Sequence, residues 1–384
     1  MIDTLIYEKN NETIKFAGLN QKRLDLLEII DLSKAVEGNI YLGRISKKID
    51  LANGKVGYFV NIGKEKEAFI NAEEYGRDEL NANEGQEVIV QVSQEQRAEK
   101  GAKLVRSLQF VGQNLVYCPY KMNIDVSLKI EDKLKAEELK RIVNDNMTGQ
   151  EGWIVRTCAV YANEKEIVEE MEVLRGQFDS VRQKAKTAKS PMLLLERNGL
   201  LTEIINNNSD SLQKIVVNNH NLEEALKDDF EVEYKLNPFK DYNIDDLIID
   251  AMQKEVKLKN GGRITIEETK ACVAIDVDSG DDDGLGSIGR LNMEAAEEII
   301  HQIRVRNLSG KIVIDFAGSS EYRFLKNVIE YLEDNFRKDN IKTFVNGLSR
   351  SGLVEISRVR RRPSLNEVLS CECPTCKGCG RVEK

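Results

Sequence analysis

Residues 273–278 read Val-Ala-Ile-Asp-Val-Asp and residues 312–316 read Ile-Val-Ile-Asp-Phe, so two short apolar runs each end in a carboxylate. The segment between them, 292–307, has the composition of a helix. A strand, a helix and a strand at this spacing form a βαβ unit, whose crossover is almost always right-handed. The two strands are then parallel neighbours. We expect Asp276 and Asp315 to emerge at the carboxyl edge of the sheet, where open α/β sheets bind ligands.

The carboxylates of these two runs predict a metal site. Asp276 and Asp278 are two positions apart and therefore share one face of the predicted strand. With Asp315 they are hard oxygen ligands of the kind that Mg²⁺ or Mn²⁺ prefers. Such an ion stabilises charge on phosphorus and activates water, so we predict metal-assisted phosphoryl chemistry. The alternative is that each Asp only begins a turn or caps a helix.

Composition narrows the class of protein. The chain has 384 residues, 41% of them hydrophobic and 32% charged, which fits a soluble protein of two to four domains. A net charge of −9 argues against coating nucleic acid through bulk charge, although local basic grooves remain compatible with it. The two histidines have no partner at ligand spacing. Neither a signal peptide nor a membrane-spanning run is visible, so we expect a cytoplasmic protein.

The cysteines concentrate at the carboxyl end. Four of the seven, Cys371, Cys373, Cys376 and Cys379, lie in the last fourteen residues. The C-x₂-C spacing of Cys373 and Cys376 is typical of half a tetrahedral zinc site. A second chain could supply the other half, or Cys371 and Cys379 could complete the site within one chain. The other three cysteines, Cys118, Cys158 and Cys272, are predicted to be core residues.

Short alternating strands between residues 39 and 116 predict a small barrel of the OB type. Two aromatic residues on these strands, Phe59 and Phe69, lie near basic residues in the sequence, and OB folds use that combination to bind single-stranded nucleic acid. The alternative is that both rings belong to the barrel core. The neighbouring cations are Lys64, Lys66 and Lys100.

Two further patterns have competing interpretations. The run 358–362 contains four arginines and suits phosphate binding, unless it is only a solvated strand end. Residues 284–289 match G-x-G-x-x-G, but the acidic residues 281–283 before them would repel a pyrophosphate. We therefore predict a flexible turn before the helix and no nucleotide-binding loop.

Several longer motifs, in this order, resemble the catalytic half of the ribonuclease E/G family, and the resemblance covers nearly the whole chain. The motifs are NIYLG (39–43), GQEVIVQV (85–92), IVRT (154–157), AIDVDSG (274–280), NMEAAEEI (292–299), IVIDF (312–316) and CPTC (373–376).

The resemblance implies a multidomain fold of the α+β and α/β classes. A discontinuous RNase H-like subdomain is interrupted by an S1 (OB-fold) β-barrel and a 5′-sensor region, and a DNase I-like α/β subdomain and a zinc-binding tail follow. The implied boundaries are 1–37 and 190–252 for the RNase H-like subdomain, 38–115 for the barrel, 116–189 for the sensor, 253–367 for the DNase I-like subdomain and 368–384 for the tail.

The resemblance also implies the activity and the partners. It implies an Mg²⁺-dependent endoribonuclease of the cytoplasm that cleaves single-stranded A/U-rich RNA in rRNA processing and mRNA decay. The products carry 5′-phosphate and 3′-hydroxyl ends, and a 5′-monophosphate on the substrate is often preferred. One Mg²⁺ binds per chain, and a structural Zn²⁺ shared through the cysteine tail links a homodimer.

Site residues follow from the matching motifs. The implied roles are Mg²⁺ binding for Asp276 and Asp315, catalysis for the same two with Asp278, RNA binding for Phe59, Phe69 and Lys100, 5′-phosphate sensing for Gly112, Val116, Arg156 and Thr157, and Zn²⁺ binding for Cys373 and Cys376.

Two departures from the family pattern leave an alternative function open. The family usually has Asn where Asp278 stands, and Leu128 occupies the position of a basic sensor residue. The chain is therefore either an active nuclease or a catalytically weakened RNA-binding protein that retains the barrel and the zinc-linked dimer. A weaker alternative is a metal-dependent nucleotide phosphatase, which would not need the aromatic barrel.

Overall fold

A computed structural model shows two compact units. Residues 1–10, 14–29 and 213–384 form the first, here called the terminal unit, and residues 11–13 and 30–212 form the second, the inserted unit. The structure describes residues 2–74, 78–97, 100–197, 199–259, 261–280, 285–318, 322–337, 339, 341–371 and 373–376, without the side chains of 53, 285–287 and 322–324.

Strands and helices are numbered in chain order within the described residues. The strands are β1 (Thr4–Lys9), β2 (Thr13–Asn20), β3 (Arg23–Asp31), β4 (Ile40–Asp50), β5 (Val56–Asn61), β6 (Ala68–Asn71), β7 (Glu87–Gln94), β8 (Lys103–Val105), β9 (Phe110–Val111), β10 (Leu115–Cys118), β11 (Ile124–Val126), β12 (Gly152–Val155), β13 (Met192–Leu195), β14 (Lys214–Val217), β15 (Glu231–Tyr234), β16 (Glu255–Lys257), β17 (Arg263–Glu268), β18 (Val273–Asp278), β19 (Gly310–Asp315), β20 (Thr343–Leu348) and β21 (Val354–Arg358). The α-helices are α1 (Lys133–Asp145), α2 (Glu164–Thr187), α3 (Leu200–Asn207), α4 (His220–Leu226), α5 (Pro238–Asp241), α6 (Ile244–Ala251), α7 (Leu285–Val305), α8 (Tyr322–Arg337) and α9 (Leu365–Leu369), and short 3₁₀ helices cover Ala52–Gly54 and Thr157–Tyr161.

A closed barrel lies in the inserted unit. Its five strands follow the order β4-β5-β6-β8-β7, and pairing of β7 with β4 closes it. Alternate residues of each strand fill the interior, among them Tyr58, Val60, Ile70, Val90 and Leu104, and each is almost fully buried. Small barrels have room inside only for such side chains. The observed barrel agrees with the OB-type barrel predicted from the sequence.

The inserted unit also contains a four-stranded sheet of order β11-β12-β10-β9. Helices α1 and α2 pack on it around the buried indole of Trp153. Asn163 caps α2: its side chain accepts the N–H of Glu166, whose carboxylate accepts the N–H of Asn163.

One sheet of the terminal unit joins the amino-terminal strands to a distant segment. Its order is β15-β14-β1-β2-β3, and β1 runs parallel to β14, with Thr4 opposite Lys214. The described strand β13 lies instead at the barrel, where it pairs with β4. The subdomain boundaries drawn from the family resemblance, including the start of the second RNase H-like segment at residue 190, stay predictions.

The second sheet of the terminal unit contains the βαβ unit, in the order β16-β17-β18-β19-β21-β20. Strands β18 and β19 are parallel neighbours, as predicted, and α7 connects them. Ile275, Ile312 and Ile314 lie on the sheet face that packs into the core with residues of α7 and α8. The polar residues of the same strands lie on the opposite face.

Helix α7 is longer than the sequence indicates. It begins at Leu285, so the glycine-containing residues 285–289 form helix, and the predicted flexible turn is wrong there. Glycine disfavours helix by only about 1 kcal/mol, which tertiary packing can override. Ile288 of this helix lies close to Gly318, where a Cβ atom would be only 2.8 Å from Cγ2 of Ile288. The acidic residues 281–283 lie outside the described residues.

In the part of the chain that the structure describes, we find no helix with the length and apolar character needed to cross a bilayer.

Candidate functional site

Asp276 and Asp315 lie side by side in the terminal unit. The parallel register of β18 and β19 pairs the two residues directly, and both side chains are on the exposed face of the sheet. Neighbouring strands are about 4.8 Å apart, so the two carboxylates start from adjacent backbone positions and project in the same direction. The structure therefore brings together the two carboxylates that the sequence pairs.

Asp278 shares this face but has a cation beside it. The register of β17 and β18 places Arg263 directly opposite, and its Nη2 lies 2.7 Å from Oδ2 of Asp278. A hydrogen bond from the backbone N–H of Gly280, together with the charge of Arg263, holds the pKa of the Asp278 carboxyl below its usual value. Asp278 is thus ionised and paired, and the sequence offered no signal for Arg263.

The donor set fits a Mg²⁺ ion held by two carboxylates. Among the described residues no group of three or more His, Cys, Asp or Glu side chains is arranged around one point. Mg²⁺ in enzymes is commonly held by one or two carboxylates, with water and substrate phosphate oxygens as the remaining ligands. Asp276 and Asp315 meet that requirement without a third protein carboxylate.

Asn292 anchors the chain that leaves Asp315. This residue of α7 is 3% exposed. Its Nδ2 donates to the carbonyl oxygen of Ala317 over 3.0 Å, and its Oδ1 accepts the Ala317 N–H over 3.2 Å. Because both backbone groups of Ala317 are bound, the turn after Asp315 has a defined path. Sequence reasoning placed Asn292 at the helix but assigned it no role.

In the inserted unit, the barrel presents its two aromatic residues on the outer surface. Phe59 and Phe69 are opposite each other on β5 and β6, with ring centroids 5.7 Å apart in an edge-on arrangement. Both are half-buried, whereas their strand neighbours Tyr58 and Ile70 fill the interior. The alternative that the rings are core residues is therefore wrong.

Two lysines flank this aromatic pair. Lys47 is paired with Phe59 and Lys103 with Phe69. A row on the barrel surface therefore crosses four strands in the order Lys47, Phe59, Phe69, Lys103, with both lysines exposed and both rings half-buried. Stacking faces beside positive charge suit single-stranded nucleic acid. Neither lysine was predicted, because only strand register shows which residues are neighbours.

The lysines named from the sequence lie in different surroundings. Lys100 is exposed, and its backbone forms an isolated β-bridge with Arg97. Two residues later, the carbonyl of Ala102 accepts the N–H of Phe69, so Lys100 is near the aromatic pair along the chain. The ammonium group of Lys64 donates to the carbonyl of Leu32 over 3.0 Å, so it serves the local fold.

Arg156, the predicted phosphate-binding cation, is largely engaged by the protein. Its Nη1 donates to the carbonyl oxygen of Gly112 over 2.5 Å, and its Nη2 lies 3.4 Å from Oε1 of Glu203. Gly112 itself permits a close approach of Glu170, because a Cβ atom there would lie 1.9 Å from Oε1 of that residue. Glu170 in turn accepts the backbone N–H of Asn114.

The other two predicted sensor residues lie near Arg156. Val116 on β10 is buried opposite Ile154, whereas Thr157 follows Arg156 and is exposed. The Thr157 hydroxyl is 3.1 Å from the hydroxyl of Ser127, which the sequence did not single out. Leu128, next to Ser127, is fully exposed at 101%.

The described part of the cysteine tail forms a turn. Hydrogen bonds from the backbone N–H groups of Cys376 and Thr375 lower the pKa of the Cys373 thiol. Backbone N–H groups directed at the sulfur of Cys373 favour the thiolate, which is the form that binds zinc. Cys379 lies outside the described residues, so the choice between a shared and a private zinc site stays a prediction.

The arginine run 358–362 is not a free phosphate-binding patch. Arg358 is 4% exposed and binds Asp339 and the Leu308 carbonyl. Arg360 donates to the carbonyl of Ser309 over 3.0 Å, and Arg362 pairs with Glu28. Three of the four arginines of the run therefore tie the chain to neighbouring elements, and the phosphate interpretation is wrong for these three.

Comparisons with known proteins show what this chain is similar to. The model of the "Ribonuclease E/G family" matches residues 109–361, a range that contains the predicted sensor residues and the carboxylate pair. The chain belongs to the ribonuclease E/G family. This family member is 31% identical to ribonuclease G of Escherichia coli K12 over 389 residues, which cover 91% of the chain and 78% of that protein.

Two further relatives extend the match. Ribonuclease G of Haemophilus influenzae is 33% identical over 390 residues, which cover 91% of the chain and 78% of that protein. Ribonuclease E of the same organism is 30% identical over 411 residues, which cover 98% of this family member but only 44% of that protein. The matches to these relatives thus include the barrel of this chain, whereas the match to the family model begins after the barrel, at residue 109.

Proposed function

We propose that this endoribonuclease of the ribonuclease E/G family hydrolyses single-stranded A/U-rich RNA with Mg²⁺, leaving 5′-phosphate and 3′-hydroxyl ends. The observation that supports it most is the direct pairing of Asp276 with Asp315 on the open face of the sheet. The preference for A/U-rich RNA rests on the family resemblance alone.

Asp276 and Asp315 would hold one Mg²⁺. When bound, such an ion stabilises the charge that develops on the phosphate and activates water. Attack of water on phosphorus breaks the bond to the 3′ oxygen, which takes up a proton. The downstream fragment therefore keeps the phosphate at its 5′ end, and the upstream fragment ends in a 3′-hydroxyl. Arg263 offsets the charge of Asp278 where RNA phosphates must approach. Asn292 orders the turn after Asp315 and acts as a positioning residue.

The inserted unit would supply RNA binding. Phe59 and Phe69 offer stacking faces, and Lys47 and Lys103 beside them attract the backbone. Lys100 would add charge near Phe69. Bases of any sequence can stack on such a row, so it suits a single strand better than a particular motif.

A preference for RNA with a 5′-monophosphate would arise at Arg156 and Thr157. A guanidinium group and an exposed hydroxyl are suitable donors for a phosphate dianion. Gly112 and Val116 shape the surrounding backbone and its core contacts. The products would then enter rRNA processing and mRNA decay in the cytoplasm.

The cysteine tail would link two chains. Cys373 and Cys376 supply two thiolates, and a tetrahedral zinc site needs four ligands. A second copy of the chain with the same two cysteines would complete it, which gives a homodimer with one structural Zn²⁺.

Cleavage of a fluorescent A/U-rich RNA by the purified chain with Mg²⁺ tests the nuclease proposal. We expect D276N and D315N each to reduce the rate by about 100-fold or more, since each removes a metal ligand. E355Q is the matched control: Glu355 is an exposed carboxylate on the same sheet, opposite Val313. Equal rates for D315N, E355Q and the unmodified protein would contradict the proposed site.

The alternative is a catalytically weakened RNA-binding protein. The observation that favours it is the salt bridge of Asp278 with Arg263, which places a further pair of charges beside the carboxylates. The same assay decides between the two: RNA binding without any cleavage above the D315N rate would support this second function.

A further inference from the structure

Glu203 lies between two arginines in the inserted unit. Its Oε1 is 3.4 Å from Nη2 of Arg156, and its Oε2 is 2.9 Å from Nη2 of Arg197. The side chains of Arg156, Arg197 and Glu203 are 19%, 24% and 24% exposed. Each oxygen of one carboxylate thus has its own guanidinium partner, in a site that solvent reaches only in part.

This arrangement is that of an anion site occupied by the protein's own anion. Two guanidinium groups that converge on the two oxygens of a carboxylate match the geometry they would present to a phosphate monoester. A terminal phosphate carries about two negative charges at neutral pH against one on Glu203. It can also accept hydrogen bonds from hydroxyl groups. Thr157 directly follows Arg156 in the chain, and its hydroxyl lies 3.1 Å from the hydroxyl of Ser127.

The surrounding structure holds the two arginines independently of Glu203. Arg156 Nη1 donates to the Gly112 carbonyl, and the backbone N–H of Arg197 donates to Oδ1 of Asn39 over 2.7 Å. Arg197 also has a second carboxylate partner, Glu37, at 3.6 Å. If Glu203 were displaced, both cations would keep contacts that fix their positions.

Glu203 lies on the short helix α3, which buried side chains hold in place. It lies in the first turn of α3, where its N–H donates to the carbonyl of Gly199. The next two residues, Ile204 and Ile205, are buried and hold the helix against its neighbours. Rotation of the Glu203 side chain alone is therefore enough to release Arg156, without unfolding of α3.

We propose that Glu203 competes with the 5′-monophosphate of RNA for Arg156, and so sets how strongly binding depends on the 5′ end. This specificity-determining role rests on the proposed function, because it assumes that Arg156 receives a 5′ phosphate. Removal of the carboxylate charge makes Arg156 available to the incoming phosphate, whereas Arg197 keeps Glu37 as a partner. The preference for a 5′-monophosphate over a 5′-hydroxyl then increases.

The test measures binding and not cleavage. An A/U-rich oligonucleotide with a 3′ fluorophore and either a 5′-monophosphate or a 5′-hydroxyl is titrated with the full chain carrying D315N, and anisotropy gives both dissociation constants. We expect E203Q to raise the ratio of the 5′-hydroxyl dissociation constant to the 5′-monophosphate dissociation constant by about five-fold. This is the effect expected when one partly buried ion pair is lost and Arg156 becomes available. E203D, which withdraws the carboxylate by one methylene group, should give a smaller gain.

Two further variants assign the effect to Arg156. E37Q is the matched control, because Glu37 contacts Arg197 and not Arg156 in the contacts described, and the ratio should stay at the starting value. Adding R156Q to E203Q should remove the gain.

Three results would overturn the proposal: an unchanged ratio in both E203Q and E203D, an equal gain in E37Q, or equal weakening of both RNAs by E203Q. Failure of the nuclease proposal is distinguishable from these, because it shows as absence of cleavage by the unmodified protein while the binding ratio is still measured.

Discussion

Nη2 of Arg263 lies 2.7 Å from Oδ2 of Asp278, and the two residues are directly opposite on β17 and β18. Asp276, two positions earlier on the same strand face, instead has Thr265 opposite. The extra carboxylate at position 278 is thus accompanied by a cation, whereas Asp276 is adjacent to Asp315 and a hydroxyl group. This difference separates the roles of two aspartates that look equivalent in the sequence.

We expect Asp278 to contribute little to the reaction as long as Arg263 is present. D278N should keep cleavage within about three-fold of the unmodified rate, since surface ion pairs contribute little. R263A should raise KM several-fold, because the unpaired carboxylate repels RNA phosphates. R263A/D278N should restore it, and such non-additivity is the sign of direct coupling. Steady-state kinetics of all four proteins checks this; a loss of about 100-fold in D278N would instead make Asp278 a metal ligand.

The row on the barrel surface should bind RNA through stacking and charge. We expect F59A and F69A each to weaken single-stranded RNA by about 1–3 kcal/mol. K47A and K103A should each reduce the salt dependence of binding, with the slope of log K against log salt falling by about one. Lys55, which pairs with Glu73, gives the control variant K55A. An equal effect of K55A and K103A on the slope would argue against a specific RNA path.

The zinc content of the purified protein should distinguish a shared from a private site. We expect about half a zinc per chain and a dimer in solution, because two chains supply four thiolates. C373S should lose the metal and become monomeric. Elemental analysis combined with light scattering measures both quantities. One zinc per monomeric chain would instead indicate a site completed by other cysteines of the tail.

Glu298 should make the stability of the terminal unit depend on acid pH. Burial opposes its ionisation, but hydrogen bonds from His301 and Gln302 and the charge of Arg23 outweigh it and lower the pKa to about 2. A lowering from 4.5 to about 2 corresponds to roughly 3 kcal/mol. Because the folded-state pKa is depressed, this stabilisation is present above pH 4.5 and is lost as the pH falls toward 2.

E298Q should therefore destabilise the protein at pH 7 and by roughly half as much near pH 3, which is about one unit above the folded-state pKa. Urea unfolding followed by circular dichroism checks this, with the fluorescence of Trp153 reporting the inserted unit separately. Glu330, an exposed residue of α8 that pairs with Lys326, gives the control variant E330Q. A destabilisation of E298Q that is the same at both pH values would contradict the assignment.

Local patterns in the sequence were sufficient for the strands and the carboxylate pair. Runs of β-branched residues that end in Asp276 and Asp315, with a helical segment between them, leave one arrangement of parallel neighbours. The start of α7 was not predicted, because the glycines of 285–289 have low helix propensity and the close approach of Ile288 to Gly318 is a contact between distant residues.

Contacts between distant residues were decided only by the tertiary structure. Lys47 and Lys103 join Phe59 and Phe69 through strand register, which no local pattern reveals.

The same holds for charge. Arg156 and Glu203 are 47 positions apart and meet only because α3 returns to the surroundings of Arg156. A sequence shows how many arginines stand in a run such as 358–362, but not that Arg358, Arg360 and Arg362 are bound by other parts of the protein. The sequence by itself thus determined the elements, the family and the candidate metal ligands, because these depend on residue type and short spacing. The tertiary structure decided which charges are paired and which surfaces are exposed, because ion pairing and burial depend on distances that folding alone creates.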